Sequence, residues 1–175
     1  ILRCSYNMMA FSGSGERVRP GPSRRSRELG LVIEKALLPV LDLTKFPNTV
    51  IDVFVELLQT DAGTRCAGIT AAALALADAG IPMKDLVSSV AVGRIEDKLV
   101  LDVNKEEEDY SGGMADIPIA MATRLNKITL LQMDGMVSRD MLKDIFNLAK
   151  KGCEKIKEVQ VKALKEKYVR GGGDG

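Results

Sequence analysis

Thr49-Val50-Ile51-Asp52-Val53-Phe54-Val55-Glu56-Leu57-Leu58-Gln59-Thr60-Asp61-Ala62-Gly63-Thr64-Arg65-Cys66 is the stretch on which the fold turns. Its first half alternates. Ile51, Val53, Val55 and Leu57 share one side of an extended chain and Asp52 and Glu56 the other, so Thr49 to Gln59 predicts a strand. Thr60 to Gly63 predicts a turn. Thr64 to Ala79 is Ala-rich and apolar, which predicts a buried helix closed by Gly80 and broken by Pro82. A strand that passes through a tight turn into a buried helix leaves free N–H groups and the positive end of the helix dipole at Gly63.

Working outward, residues 1–10 predict a strand and Phe11 to Pro22, with its Gly and Pro residues, a loop. A helix is expected from about Ser23 to Pro39, where Leu29, Val32, Ile33, Ala36 and Leu37 form a stripe and Pro39 stops it. Leu86 to Arg94 and Lys98 to Val103 read as strands around a Glu96-Asp97 turn. Lys105 to Ala115 reads as an acidic, Gly-bearing loop. Asp116 to Thr123 and Lys127 to Met133 read as two more strands. Ser138 is expected to cap a long helix running to about Tyr168. The predicted class is α/β or α+β, with neither clean βαβ alternation nor a repeat. One folded unit is expected over residues 1–170, followed by a flexible Gly-rich tail at 171–175.

Composition narrows the chemistry. The 175 residues are 46% apolar but only 4% aromatic, so the core rests on Ala, Leu, Val and Ile. With 25 Lys and Arg against 24 Asp and Glu, the charge balance alone does not mark a nucleic-acid binder; only local clustering can. Histidine is absent, which removes Ser-His-Asp and Cys-His catalysis and every His-containing zinc site. Cys4, Cys66 and Cys153 are odd in number and widely spaced, which predicts reduced thiols in a cytoplasmic protein. The richest apolar run, Ile69 to Ala79, is too short to span a bilayer. The opening Ile1-Leu2-Arg3-Cys4-Ser5-Tyr6 reads as mid-strand, so sequence is expected to precede it.

Three constellations remain. Arg17, Arg19, Arg24, Arg25 and Arg27 crowd a loop and the start of a helix, where the dipole disfavours positive charge. A bound anion would account for them, since guanidinium matches phosphate oxygens in a planar fork; a solvated basic loop is the alternative. Asp61-Ala62-Gly63-Thr64-Arg65 has the makings of an anion site at a helix start, though not of a P-loop; an ordinary capping turn is the alternative. The third is Glu106-Glu107-Glu108-Asp109, followed by Asp116 at the head of an apolar strand. Strand-end carboxylates can hold Mg²⁺; for the glutamates a solvated turn is the plainer account. Together these suit phosphodiester chemistry by positioning and electrostatics.

Arg19-Pro20-Gly21-Pro22-Ser23-Arg24-Arg25, Phe54 through Arg65, Ala77-Asp78-Ala79-Gly80-Ile81-Pro82-Met83 and Asp102-Val103-Asn104-Lys105-Glu106-Glu107-Glu108 closely resemble the RNase PH family, and within it the catalytic branch of archaeal exosome subunits. The resemblance covers nearly the whole chain except the Gly tail. It implies an RNase PH-like fold of the ribosomal protein S5 domain 2-like β-α type. It also implies degradation of RNA from the 3′ end by inorganic phosphate, with nucleoside diphosphates released and RNA tailing as the reverse reaction. By motif, Gly63, Thr64 and Arg65 match the family's phosphate-binding turn. Arg24 and Arg25 match its arginine pair for RNA backbone and phosphate, with Arg19 beside them. Asp116 matches the catalytic aspartate, as metal ligand or general acid, with Mg²⁺ or Mn²⁺ as the implied cofactor.

Two departures stand out. The family's second acid lies six residues before that aspartate, where this chain has Tyr110; a one-residue insertion in Ser111-Gly112-Gly113-Met114 would deliver Asp109 as second catalytic and metal-binding carboxylate. The family domain also begins before Ile1, so an N-terminal portion is expected to be absent here. The implied partners are RNA, an inactive sister subunit alternating in a hexameric ring, and RNA-binding cap subunits. A free-standing bacterial-type tRNA-trimming enzyme and a non-catalytic ring subunit are the alternatives.

Overall fold

The computed structural model describes residues 1–13 and 22–170. The chain opens with β1 (Leu2–Met8), α1 (Arg24–Leu37) and β2 (Ile51–Leu57), and β1 and β2 run parallel from Leu2 opposite Ile51 to Met8 opposite Leu57. A parallel pair needs a crossover, and α1 supplies it, so the first third is a βαβ unit that the sequence pattern had not resolved. Val55 is buried and Ile51, Val53 and Leu57 are half-buried, while Asp52, Phe54 and Glu56 face solvent as the alternation predicts. Then follows α2 (Thr64–Asp78), ending in a Gly80 with φ of 76°.

The rest is an antiparallel sheet with a long helix. Strands β3 (Ser88–Ile95), β4 (Lys98–Leu101), β5 (Met114–Ala122) and β6 (Lys127–Leu131) lie in the order β4-β3-β5-β6. The acidic segment expected as loop begins with a capped helical turn, α3 (Lys105–Glu108). The final helix, α4 (Leu142–Arg170), starts later than expected: Ser138 heads a turn in which its carbonyl accepts the Met141 N–H at 3.2 Å.

Strand β3 is covered on both faces. Ser88 Oγ donates to the Cys153 carbonyl of α4 (2.8 Å), whereas the adjacent Ser89 N–H donates to Thr70 Oγ1 of α2 (3.1 Å). One core gathers Leu2, Tyr6, Ile33, Leu37, Val55, Ile69 and Ala73 with Ala120 and Ala122; a second joins Val90, Val92, Ile117 and Ile119 to Ile145, Ala149 and Cys153 of α4. Two glycines allow the close approaches behind the first. A Cβ on Gly30 of α1 would stand 2.5 Å from the Cys4 carbonyl oxygen, and one on Gly68 of α2 would meet Val55 and Ile33 at 3.2 and 3.3 Å. Among the described residues no helix is long and apolar enough to cross a membrane.

Candidate active site at the join of the two sheets

Where β2 ends, Ala62 and Gly63 both adopt left-handed backbone, with φ of 53°. Gly63 becomes the N-cap of α2 and, having no side chain, leaves the helix end bare. Its carbonyl accepts the Cys66 and Ala67 N–H groups, while those of Thr64 and Arg65 have no partner among the described residues. An uncapped N-terminus with two unengaged amides and an Arg in its first turn is poised for an anion.

Around it lies a cavity of about 400 Å³. Arg25, Gly63, Thr64, Arg65 and Asp116 line it, so five of the expected site residues meet there from three separate elements. Arg25 arrives from the first turn of α1. Ser23 accepts the Ser26 N–H (3.0 Å) and Ser26 Oγ accepts the Ser23 N–H (2.7 Å), which fixes that helix start with no acidic residue to offset Arg24, Arg25 and Arg27. Arg24 is exposed and is not among the lining residues; Arg19 lies outside the described residues.

Tyr6 locks the turn from behind: its hydroxyl donates to Thr64 Oγ1 at 2.7 Å, leaving the threonine's own proton available to a ligand. Burial pushes the Tyr6 phenol up, against the pull of that bond and of the nearby Arg25 and Arg65 charges. Arg65 Nη1 donates to Gln132 Oε1 at 2.8 Å.

Asp116 sits at the head of β5, half-buried. Burial raises its carboxyl above the ordinary carboxylate range; Arg65 pulls it back down, and Glu108 and Asp134 push it up. Its backbone exchanges two 2.8 Å hydrogen bonds with Asp134, which pins the segment after β6 beside it.

Asp109, expected as the second carboxylate, lies elsewhere. Its carboxylate is paired with the Lys105 ammonium at the surface, and it does not line the cavity. Glu108, one residue earlier, does. The reason is α3. Asn104 accepts the Glu107 N–H and Glu107 accepts the Asn104 N–H, both at 2.9 Å, and this capped turn places Glu108 toward the site. The Asn104…Glu107 spacing is the sequence signal that would have revealed it. Tyr110, at the family's usual acid position, instead donates to Glu96 Oε1 at 2.7 Å. Asp61, the first residue of the Asp61-Ala62-Gly63-Thr64-Arg65 stretch, accepts the Lys105 N–H at 2.9 Å and ties α3 to the turn before α2.

No three acidic or thiol side chains converge as a metal cage among the described residues. Asp116 and Glu108 nevertheless line one cavity with the arginines, and this donor set fits a Mg²⁺ that keeps its waters and bridges one or two carboxylates to phosphate.

Comparison with known proteins identifies the family. Residues 1–82 match the 3′ exoribonuclease family, domain 1, and residues 85–152 match the 3′ exoribonuclease family, domain 2. The chain is 55% identical over 179 aligned residues to the exosome complex component Rrp41 of Thermococcus onnurineus, covering 99% of this chain and 71% of that one. It is 56% identical to the Pyrococcus abyssi component (97% and 67% covered) and 50% identical to that of Nitrosopumilus maritimus (99% and 70%). The crystal structure of rice Rrp46 superposes with a TM-score of 0.73 at 20% identity, over 93% of this chain and 73% of that one, which supports the fold. The cavity lies where the two matched regions meet, and the chain belongs to the 3′ exoribonuclease, or RNase PH, family.

Proposed function

We propose that this chain is a catalytic ring subunit of an archaeal-type exosome, shortening RNA from its 3′ end by phosphorolysis. The observation that carries the reading is one cavity that gathers Arg25, the Gly63-Thr64-Arg65 turn, Glu108 and Asp116. Inorganic phosphate is held by the free amides of the turn, the Thr64 hydroxyl and Arg65. Arg25 takes the RNA backbone, together with Arg24 in the same helical turn and with Arg19. A phosphate oxygen attacks the terminal phosphorus, a new P–O–P bond forms, and the bond to the preceding nucleotide's 3′ oxygen breaks. Asp116, kept protonated to higher pH than an ordinary carboxyl, hands its proton to that departing oxygen and recovers one from the phosphate. The products are a nucleoside diphosphate and RNA one residue shorter; the reverse reaction tails RNA. If Asp116 instead stays ionised, it and Glu108 would hold Mg²⁺ or Mn²⁺, which would neutralise charge on the reacting phosphates.

Such a subunit alternates with an inactive RNase PH-like sister in a hexameric ring beneath RNA-binding cap subunits, in the cytoplasm. The test is phosphate-dependent release of nucleoside diphosphates by rings carrying Asp116→Asn. Release is expected to fall by at least about a hundredfold while RNA binding persists. Release at the wild-type rate would remove Asp116 from the reaction.

A further inference from the structure

Gln132 does not line the cavity, yet it accepts a side-chain hydrogen bond from Arg65, which does. It lies just past β6, where its N–H donates to the Pro118 carbonyl at 3.1 Å, and two residues later Asp134 pairs backbone-to-backbone with Asp116. The segment is therefore held against β5 from both ends. Gln132 and Asp134 share one side of it by the two-residue repeat of extended chain. That geometry fixes the Gln132 backbone beside β5, and its Oε1 accepts a 2.8 Å bond from Arg65 Nη1, a guanidinium that stands on a different element, 67 residues away.

The chemistry of the acceptor matters as much as its position. A carboxylate here would hold Arg65 more strongly, as a charge-assisted pair, but it would also cancel the positive charge that an anion needs. An amide oxygen takes one of the five guanidinium N–H groups and leaves the charge whole. Acids already stand close by: Asp116, Glu108 and Asp134 all act on the same small volume, so one more negative charge would fall directly on the anion's approach.

We infer that Gln132 is a positioning residue for the phosphate co-substrate, a neutral acceptor that orients Arg65 without consuming its charge. The inference rests on the reading of Arg65 as a phosphate ligand. A purely architectural role for Gln132 makes the opposite forecast, because glutamate is isosteric and a better acceptor for arginine.

Gln132→Glu in the assembled ring decides between them, assayed by nucleoside diphosphate release against inorganic phosphate concentration. KM for phosphate is expected to rise roughly tenfold, with kcat at saturating phosphate little changed and RNA affinity unaltered. Arg65→Ala alone raises the phosphate KM if the underlying reading holds, and in that background Gln132→Leu, with no guanidinium left to release, adds little further change. A phosphate KM in Gln132→Glu at or below wild type, alongside a raised one in Arg65→Ala, overturns the role of Gln132 alone. An unchanged phosphate KM in Arg65→Ala overturns the reading beneath it. Gln132→Leu, which removes the acceptor without adding charge, is expected to raise KM less than Gln132→Glu; the reverse order would also count against the inference.

Discussion

Asp116 is asked to be acidic enough to give up a proton and protected enough to keep it until needed. Burial raises its carboxyl, Glu108 and Asp134 raise it further, and Arg65 opposes them. The sign of each contribution is testable. Glu108→Gln removes a like charge, so the Asp116 midpoint should fall toward the ordinary carboxylate value, followed by carbon NMR of the labelled carboxyl. A midpoint that stays or rises would show that Glu108 does not act on Asp116. Asp116 was legible in the sequence because a lone acid heading an apolar strand has no packing reason to be there. Glu108 was not, because choosing between Glu108 and Asp109 requires knowing the phase of a helical turn, and residues 105–115 read as loop.

At the scale of elements, α1 and α2 carry the basic groups of the cavity, and both are packed closely against the strands. The α1 start is capped by serines and carries three uncompensated arginines; the α2 start is bare. What holds α1 to β1 is the absence of a side chain at Gly30, where a methyl group would meet a backbone oxygen that cannot swing aside. Gly30→Ala should therefore destabilise the fold by about 1–3 kcal/mol in denaturant titration. Full stability in that variant would mean that the helix can lift off the strand at little cost. Helices α1 and α2, the body of α4, the alternation of β2 and the hairpin around Glu96 were readable from periodicity; α3 and the start of α4 were not. The parallel pairing of β1 with β2 was not, since a single strand, loop, helix and strand gives no repeat from which to infer a βαβ unit.

At the scale of the molecule, the site is assembled from both family regions. Asp61 reaches across to Lys105, and Arg65 to Gln132, contacts separated by 44 and 67 residues that no local pattern announces. A second tie lies on the far side. Asp85, nearly buried, accepts the N–H groups of Leu86 and Arg124 and a 2.6 Å ion pair from Lys157 of α4. Asp85→Ala strands that lysine and two backbone donors, and should cost about 3–5 kcal/mol, read as a shift in the denaturation midpoint. A loss below about 1 kcal/mol would show that water takes over those contacts.

The bare start of α2 has a consequence for the order in which the protein becomes competent during synthesis. The basic grip, Arg25 through Arg65, is complete once the first region has been made. Its acidic counterpart and the glutamine that aims it come later, at Glu108, Asp116 and Gln132. A nascent or proteolytically shortened chain ending between these points holds the basic residues of the cavity without its acidic ones. On the proposed function, such incomplete copies lack the acid of the reaction, which the chain supplies only with its second region.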